Sequence, residues 1–483
     1  METKTDPTPT LPKGEGSNQI SVLVVLTVIG LLLYLPLWLG TIYISHVQHA
    51  RGIDPVLPTL PSDSYGYKVL ADNLAEHHCF SASPTCAVSE TFRTPGYPAF
   101  LAAFDTFGSP FVASFVQCLL ALLTGYFLYK ISRVYLSERW SLWIMIIFLL
   151  EPSVILYSLT FLSDILFTFL IVVSAYFLLK AKPSFWMLCS IGALLALSAL
   201  VRPISLFLLP VYAIFYFLLY FPFQKLSIKS FCKSVTVLCI GFAVLILPWM
   251  IRNKVETGTF IFSTVSGYNL FVYNVPMFVS AETGQSVSSI QAQMYKDAGL
   301  TGQDISQAQY QSKVMSVSEK IIFAHPFSYA AFHLVKTIPF YISSSVENTQ
   351  LVIGEMLPGA SSPERPALTS YILSHDVKGL SRALSAQGPI VFENMLWLIV
   401  TLLALASVCI VFWYQKSNYR KEYVVRTLFL VVMMLYFGIL TGPVSSPRYR
   451  LPAEPFMFLA AALCISLGIS LAIDICIRKK QSV

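Results

Sequence analysis

A chain of 483 residues that is 55% hydrophobic and only 12% charged, with a mean hydropathy of +0.67, lacks the polar surface that a soluble domain of this length needs. The net charge of +7 is modest, and no basic run is interleaved with aromatics in a polar segment, so nucleic acid is excluded as a partner. The 35 Phe, 25 Tyr and 7 Trp fit aromatic belts at two membrane interfaces.

The predicted class is an all-α integral membrane protein with about ten transmembrane helices and two large extracytoplasmic loops. The Pro-rich start, residues 1–19, reads as a disordered cytoplasmic tail. Spans follow at Ile20–Ser45, Pro110–Tyr129, Trp140–Ser158, Asp164–Leu179, Ser184–Val201, Pro203–Phe221 and Ser234–Ile251, which with the first outer loop (46–109) make an N-terminal transmembrane catalytic module, 20–251. The first span is too long for a signal-peptide core, and no small-x-small site follows it closely, so it is read as retained. Residues 252–389 form a second outer loop. Its apolar stretch 321–343 contains His325, Pro326, His333, Lys336 and Pro339, and reads as an amphipathic helix on the outer surface. Spans Ile390–Tyr414, Val424–Leu440 and Leu451–Ile477, with a cytoplasmic tail, complete the C-terminal part, 390–483.

Orientation follows from the short loops. With both termini in the cytoplasm, Lys130, Arg133, Arg139, Lys180, Lys182, Lys225, Lys229, Lys233, Lys416, Arg420, Lys421 and Arg426 all fall inside, and the short outer loops hold almost no Lys or Arg. This is the positive-inside pattern of a multi-pass protein of the cell membrane. Of nine cysteines, only Cys79 and Cys86 lie away from spans. Seven residues apart in an oxidising compartment they can pair; in a reducing one they would be two free thiols.

Arginines that break the orientation rule are informative. Arg93, Arg202, Arg252, Arg448 and Arg450 sit at or near outer membrane boundaries, where charge is costly and needs a partner. Guanidinium gives planar, two-toothed contacts to phosphate oxygens, so a cluster there suits a lipid phosphate; each alone can also snorkel or pair with a local acid. Asp63 lies in the first loop, Asp164 opens the fourth span on the outer side, Glu151 lies inside the third span just before Pro152, and Glu454 lies just inside the tenth. Such carboxylates can act as bases, hold a divalent cation, or cap helices. The histidine pairs His46/His49 and His77/His78 repeat no recognised metal-ligand spacing, and no Gly-rich phosphate loop or G-x-S-x-G elbow is present.

Five motifs in order resemble the GT-C type membrane glycosyltransferases, in particular the bacterial enzymes related to protein O-mannosyltransferases and the lipid A aminoarabinose transferase. They are Asp63 with Tyr67, Ala71 and Leu74, then Phe92-Arg93-Thr94-Pro95-Gly96-Tyr97-Pro98; Ser163-Asp164-Ile165-Leu166-Phe167; Arg202-Pro203; Pro248-Trp249-x-x-Arg252-Asn253, with Asn269 and Asn274 beyond; and Arg448-Tyr449-Arg450-Leu451-Pro452 with Pro455. The chain departs from the family in having Asp63-Ser64 where many relatives have Asp-Glu, and Asp164 where Glu is usual.

The resemblance implies transfer of a sugar, with inversion, from a polyprenyl-phosphate-linked donor to an extracytoplasmic acceptor (a glycolipid, polysaccharide or protein). It implies Asp63 and Asp164 as catalytic residues. Arg93, Tyr97, Arg202, Arg252, Asn253, Arg448, Tyr449 and Arg450 become substrate-binding residues. A divalent cation on Asp63 and Asp164 is the one cofactor the pattern admits; membrane lipid and the donor are the expected partners. The alternatives are a polysaccharide polymerase or ligase, which would not need the first-loop Asp and Pro-Gly-Tyr-Pro turn, and a lipid-linked sugar flippase or transporter, which would favour internal repeats and broken central helices.

Overall fold

In the computed structural model, residues 19–481 are described except 51–62, 84, 106–108, 110, 181–183, 222–226, 347–348, 350–376 and 415–419. The expected disordered tail thus lies outside the described residues. Among those described there is no β-strand, and the chain is an all-α membrane protein.

In chain order the helices are α1 Gln19–Ile29, α2 Leu35–Ala50, α3 Asp63–Glu76, α4 Gly96–Asp105, α5 Phe111–Ser132, α6 Glu138–Leu150, α7 Pro152–Ser158, α8 Asp164–Lys180, α9 Phe185–Val201, α10 Leu208–Tyr220 and α11 Ile228–Thr257. There follow α12 Val265–Asn269, α13 Val275–Thr283, α14 Val287–Asp297, α15 Gln311–Ala324 and α16 Pro326–Ile342. The last four are α17 Val377–Tyr414, α18 Arg420–Thr441, the single turn α19 Pro447–Arg450, and α20 Glu454–Gln481.

Among the described residues each predicted span is mainly helical, but the spans are not alike. Seven described helical segments are long and apolar enough to cross a membrane: Ser21–Ala50, Phe111–Ser132, Pro203–Tyr220, Ile228–Thr257, Gln387–Trp413, Lys421–Val444 and Glu454–Ile477. The pair α6 and α7 makes an eighth if counted as one span bent by 56°. The bend is local chemistry. Pro152 cannot donate to the helix, and Glu151 leaves helical geometry to cap the next one, its Oε2 accepting from Val154 N at 2.9 Å.

Helices α8 and α9 have 17 residues each, short for a lipid-facing span. They lie inside the bundle, α8 against α5 and α9, and α9 along α11. Their neighbours are largely protein, so their length need not match the hydrocarbon thickness. Asp164 begins one and Arg202 follows the end of the other.

The bundle core runs from Tyr34 and Leu70 through Phe167 and Leu195 to Phe456. A second, smaller core of Phe271, Val275, Ile290, Met294, Leu300, Ile305 and Val314 belongs to the segment between α11 and α16. Two contacts anchor that segment to the first loop: Ser263 Oγ donates to Phe92 O at 2.7 Å, and Thr264 N to Thr91 O at 3.0 Å. Helix α16 buries Thr337 and Phe340 against its neighbours and leaves Phe327, Leu334, Val335 and Ile338 exposed. Cys79 and Cys86 are disulfide-bonded, with Cα atoms 6.1 Å apart.

Candidate active site

Four separate local features deliver charged groups to one place. Asp63 begins α3, and Asp164 begins α8, where a helix N-terminus favours a carboxylate. Arg202 precedes Pro203, and a residue before proline is driven out of α geometry; its φ of −143° and ψ of 119° turn the chain away from α9. Arg448 lies in the proline-started single turn α19. Arg93 lies just before the Pro95-Gly96-Tyr97-Pro98 turn that opens α4. Gly96 is required there by close approach: a Cβ on it would fall 2.7 Å from the carbonyl carbon and oxygen of Leu200, at the end of α9.

The result is an alternating chain of five ionic side chains. Arg93 Nη2 donates to Asp63 Oδ1 at 3.1 Å. Asp63 Oδ2 accepts from Arg448 Nη1 at 2.9 Å. Arg448 Nε donates to Asp164 Oδ2 at 3.2 Å, and Asp164 Oδ1 accepts from Arg202 Nη1 at 2.6 Å. Three guanidiniums face two carboxylates. Asp164 is fully buried, whereas the Asp63 side chain, between Arg93 and Arg448, is 42% exposed and is the most open of the five. Burial pushes the Asp63 carboxyl upward, but Arg448 and then Arg93 outweigh it and hold it below the usual carboxylate range. Burial likewise opposes charge on Arg448, and Asp164 and Asp63 reverse that, so the guanidinium stays charged.

Aromatic faces wall the chain. Arg93 lies over Tyr67 at 5.3 Å, and Tyr449 stands under both Arg202 at 5.5 Å and Arg448 at 5.7 Å. Tyr67 also lies 3.4 Å, oxygen to oxygen, from Ser163, which links the first loop to the residue before Asp164. Tyr157, which the sequence did not single out, lies under Arg448 at 5.9 Å.

Four predicted substrate-binding residues are placed differently. Tyr97 is fully buried, and its hydroxyl donates to Gln117 Oε1 at 2.6 Å, so it braces α4 against α5. Arg252 donates to Glu90 O at 2.8 Å and Phe80 O at 3.1 Å and stacks on Trp249 at 5.0 Å. Asn253 donates to Ile261 O at 2.9 Å. Arg252 therefore ties the end of α11 to the first loop, and Asn253 ties it to the start of the second. Arg450 is fully buried, pairs with Glu454 at 3.1 Å, donates to Ser343 O at 2.6 Å and Ser345 Oγ at 2.8 Å, and lies 3.5 Å over Trp397. Residues two apart on a helical turn point about 200° apart, so Arg448 and Arg450 cannot face one ligand. Asn269 and Asn274, also noted in the sequence, fall in α12 and in the π-helical turn after it.

Arg448 already bridges the two carboxylates, and among the described residues no group of three or more His, Cys, Asp or Glu is arranged to hold a metal.

The fold and this ionic chain define a multi-pass helical membrane protein with a charged centre at one end of its bundle. Residues 93–251, about a third of the chain, are similar to the family described as dolichyl-phosphate-mannose-protein mannosyltransferase. Among solved structures it is similar to the archaeal oligosaccharyltransferase AglB from Archaeoglobus fulgidus, in complex with an inhibitory peptide and a dolichol-phosphate, at 12% identity and a TM-score of 0.43, covering 87% of this chain and 48% of that one. The chain thus spans about half the length of that protein. It is also similar to ArnT from Cupriavidus metallidurans, at 13% identity and a TM-score of 0.38, covering 93% of this chain and 78% of that one. No curated protein matches the sequence.

Proposed function

We propose that this protein transfers a sugar from a polyprenyl-phosphate-linked donor to an acceptor hydroxyl at the extracytoplasmic membrane boundary, with inversion at the anomeric carbon. The observation that carries this reading is the alternating chain Arg93–Asp63–Arg448–Asp164–Arg202, with its one surplus cation and Asp63 as its most open member. A polyprenyl tail is soluble only in the bilayer, so its phosphate has to be met at the interface.

On this reading the donor phosphate competes with the carboxylates for the guanidiniums. As Arg93 and Arg448 turn to phosphate, Asp63 loses the two partners that depress its basicity. It then takes the proton of the acceptor hydroxyl while that oxygen attacks the anomeric carbon. The bond from anomeric carbon to phosphate oxygen breaks, and its electron pair stays on the phosphate. The arginines gain strength as that charge develops. Asp164, fully buried between Arg202 and Arg448, orients those two cations.

The test is direct. The purified protein in lipid nanodiscs is given labelled polyprenyl-phosphate sugars, and transfer to lipid, glycan or protein acceptors is measured. Release of polyprenyl phosphate that depends on Asp63 supports the reading. Turnover that survives Asp63→Asn undiminished, or no turnover of any polyprenyl-phosphate sugar, overturns it.

A further inference from the structure

Helix α3 carries a glycine in its interior, Gly66, three residues after Asp63. Glycine is the poorest ordinary helix former because it loses the most backbone freedom. Gly66 is not among the glycines with positive φ, so no turn requires it. The requirement is steric. A Cβ on Gly66 would fall 2.7 Å from Cζ of Arg93 and 2.9 Å from each of Nη1 and Nη2. Because Cζ is the nearest of the three, the guanidinium presents its flat face to the helix backbone.

The same guanidinium reaches Asp63 Oδ1 at 3.1 Å and lies over the Tyr67 ring at 5.3 Å. Positions i, i+3 and i+4 share one face of a helix. Asp63, Gly66 and Tyr67 are therefore a single seat: a carboxylate that aims the guanidinium, a missing side chain that admits it, and an aromatic ring over which it lies.

We propose that Gly66 is a positioning residue that seats Arg93 on Asp63. Its functional consequence rests on the reading of Arg93 as a phosphate ligand. The obstructed atoms are the far end of a flexible side chain, so a methyl group at residue 66 moves Arg93 without disturbing the backbone. Position 66 then separates two properties that usually fall together. Gly66→Ala gains helix propensity and loses the seat.

The experiment compares wild type, Gly66→Ala, Arg93→Ala and the double variant in nanodiscs. Melting temperature and binding of sugar-free polyprenyl phosphate are measured, and a density map of Gly66→Ala is obtained. The expected melting temperature of Gly66→Ala equals or exceeds that of wild type, while its binding weakens by about fivefold to tenfold, the scale of one misplaced charge-assisted contact. In the Arg93→Ala background the same substitution should have no further effect. A lower melting temperature, unchanged binding beside a weakened Arg93→Ala, or full weakening without Arg93 each overturn the proposal. If wild type and Arg93→Ala bind alike, the phosphate reading fails by itself. The map then decides on Gly66: Arg93 displaced from Asp63 supports the seat, and Arg93 in place overturns it.

Discussion

Arg448 joins Asp63 and Asp164 through two different nitrogens, Nη1 at 2.9 Å and Nε at 3.2 Å. One planar side chain near the start of the last span thereby fastens the first loop to the buried start of α8. An ammonium offers no rigid fork and cannot reproduce both contacts in fixed geometry.

Arg448 is therefore expected to be the least replaceable of the three arginines. Arg448→Ala should lower turnover by about 10²–10³, the scale of a lost preorganised cation. Arg448→Lys should recover only part of this. Stability should fall too, by about 1–3 kcal/mol, because an acceptor oxygen of the fully buried Asp164 is left unpaired. Transfer rates and thermal melting of the same preparations check both numbers. Wild-type turnover in Arg448→Lys would remove the bridging role.

Asp63 gives a rate effect and a pH effect. Asp63→Asn keeps the shape and removes the proton acceptor, so turnover should drop by about 10²–10⁴ while donor affinity holds or rises, because the carboxylate no longer competes for Arg93 and Arg448. The folded-state pKa of Asp63 is depressed, so its contribution to stability is present above its unfolded value, about 3.9, and is lost as pH falls through the lower folded value. Acid titration of the melting temperature should accordingly show a shallower acid limb for Asp63→Asn than for wild type. Parallel limbs would mean that the arginines do not bind the charged form preferentially.

Arg252 and Arg93 should separate cleanly. Arg252 spends its donors on the carbonyls of Glu90 and Phe80. Arg252→Ala should therefore destabilise by about 1–3 kcal/mol and leave turnover per folded molecule close to wild type. Arg93→Ala should do the reverse, with donor binding and turnover both reduced and turnover the more. Melting curves beside steady-state kinetics show which pattern each variant follows.

The topology rests on cysteines. After reduction, an impermeant thiol reagent applied to intact cells should reach Cys79 and Cys86 and spare the exposed Cys232. Labelling of Cys232 alone would invert the orientation. The Cys79–Cys86 link closes a small ring, so replacing both by Ser should cost about 2–3 kcal/mol through loop entropy.

Membrane physics explains which features were legible in the sequence. Charge near a bilayer boundary is expensive, so Arg93, Arg202 and Arg448 and their partners Asp63 and Asp164 stood out by position, and the structure brings those five together. The all-α membrane class followed from composition and apolar runs. Arg252 and Arg450 stood out for the same reason of cost; the Glu454 partner of Arg450 is a local i,i+4 pair, but the other partners of both are backbone carbonyls and a serine of distant segments, which no local pattern announces. Tyr97 looked like a ligand because its turn is distinctive, but the turn sends its ring inward to Gln117. Helices α8 and α9 read as ordinary spans, since hydropathy does not report whether protein or lipid surrounds a helix. Gly66 carried no signal, because the group it admits arrives from 27 residues away in the chain.

On the proposed reading, the excess of one guanidinium over the carboxylates has a consequence for the whole catalytic cycle. A polyprenyl-phosphate sugar is a phosphodiester with a single negative charge, so its arrival leaves the centre electrically neutral. Transfer leaves a phosphomonoester, which is close to a dianion at neutral pH. On the proposed reading the acceptor's proton has meanwhile discharged Asp63, and the remaining charges are three positive against Asp164 and the dianion. The centre is neutral again. Substrate and product states then match the low-dielectric boundary equally well, and neither needs a counter-ion from solution to cross into it.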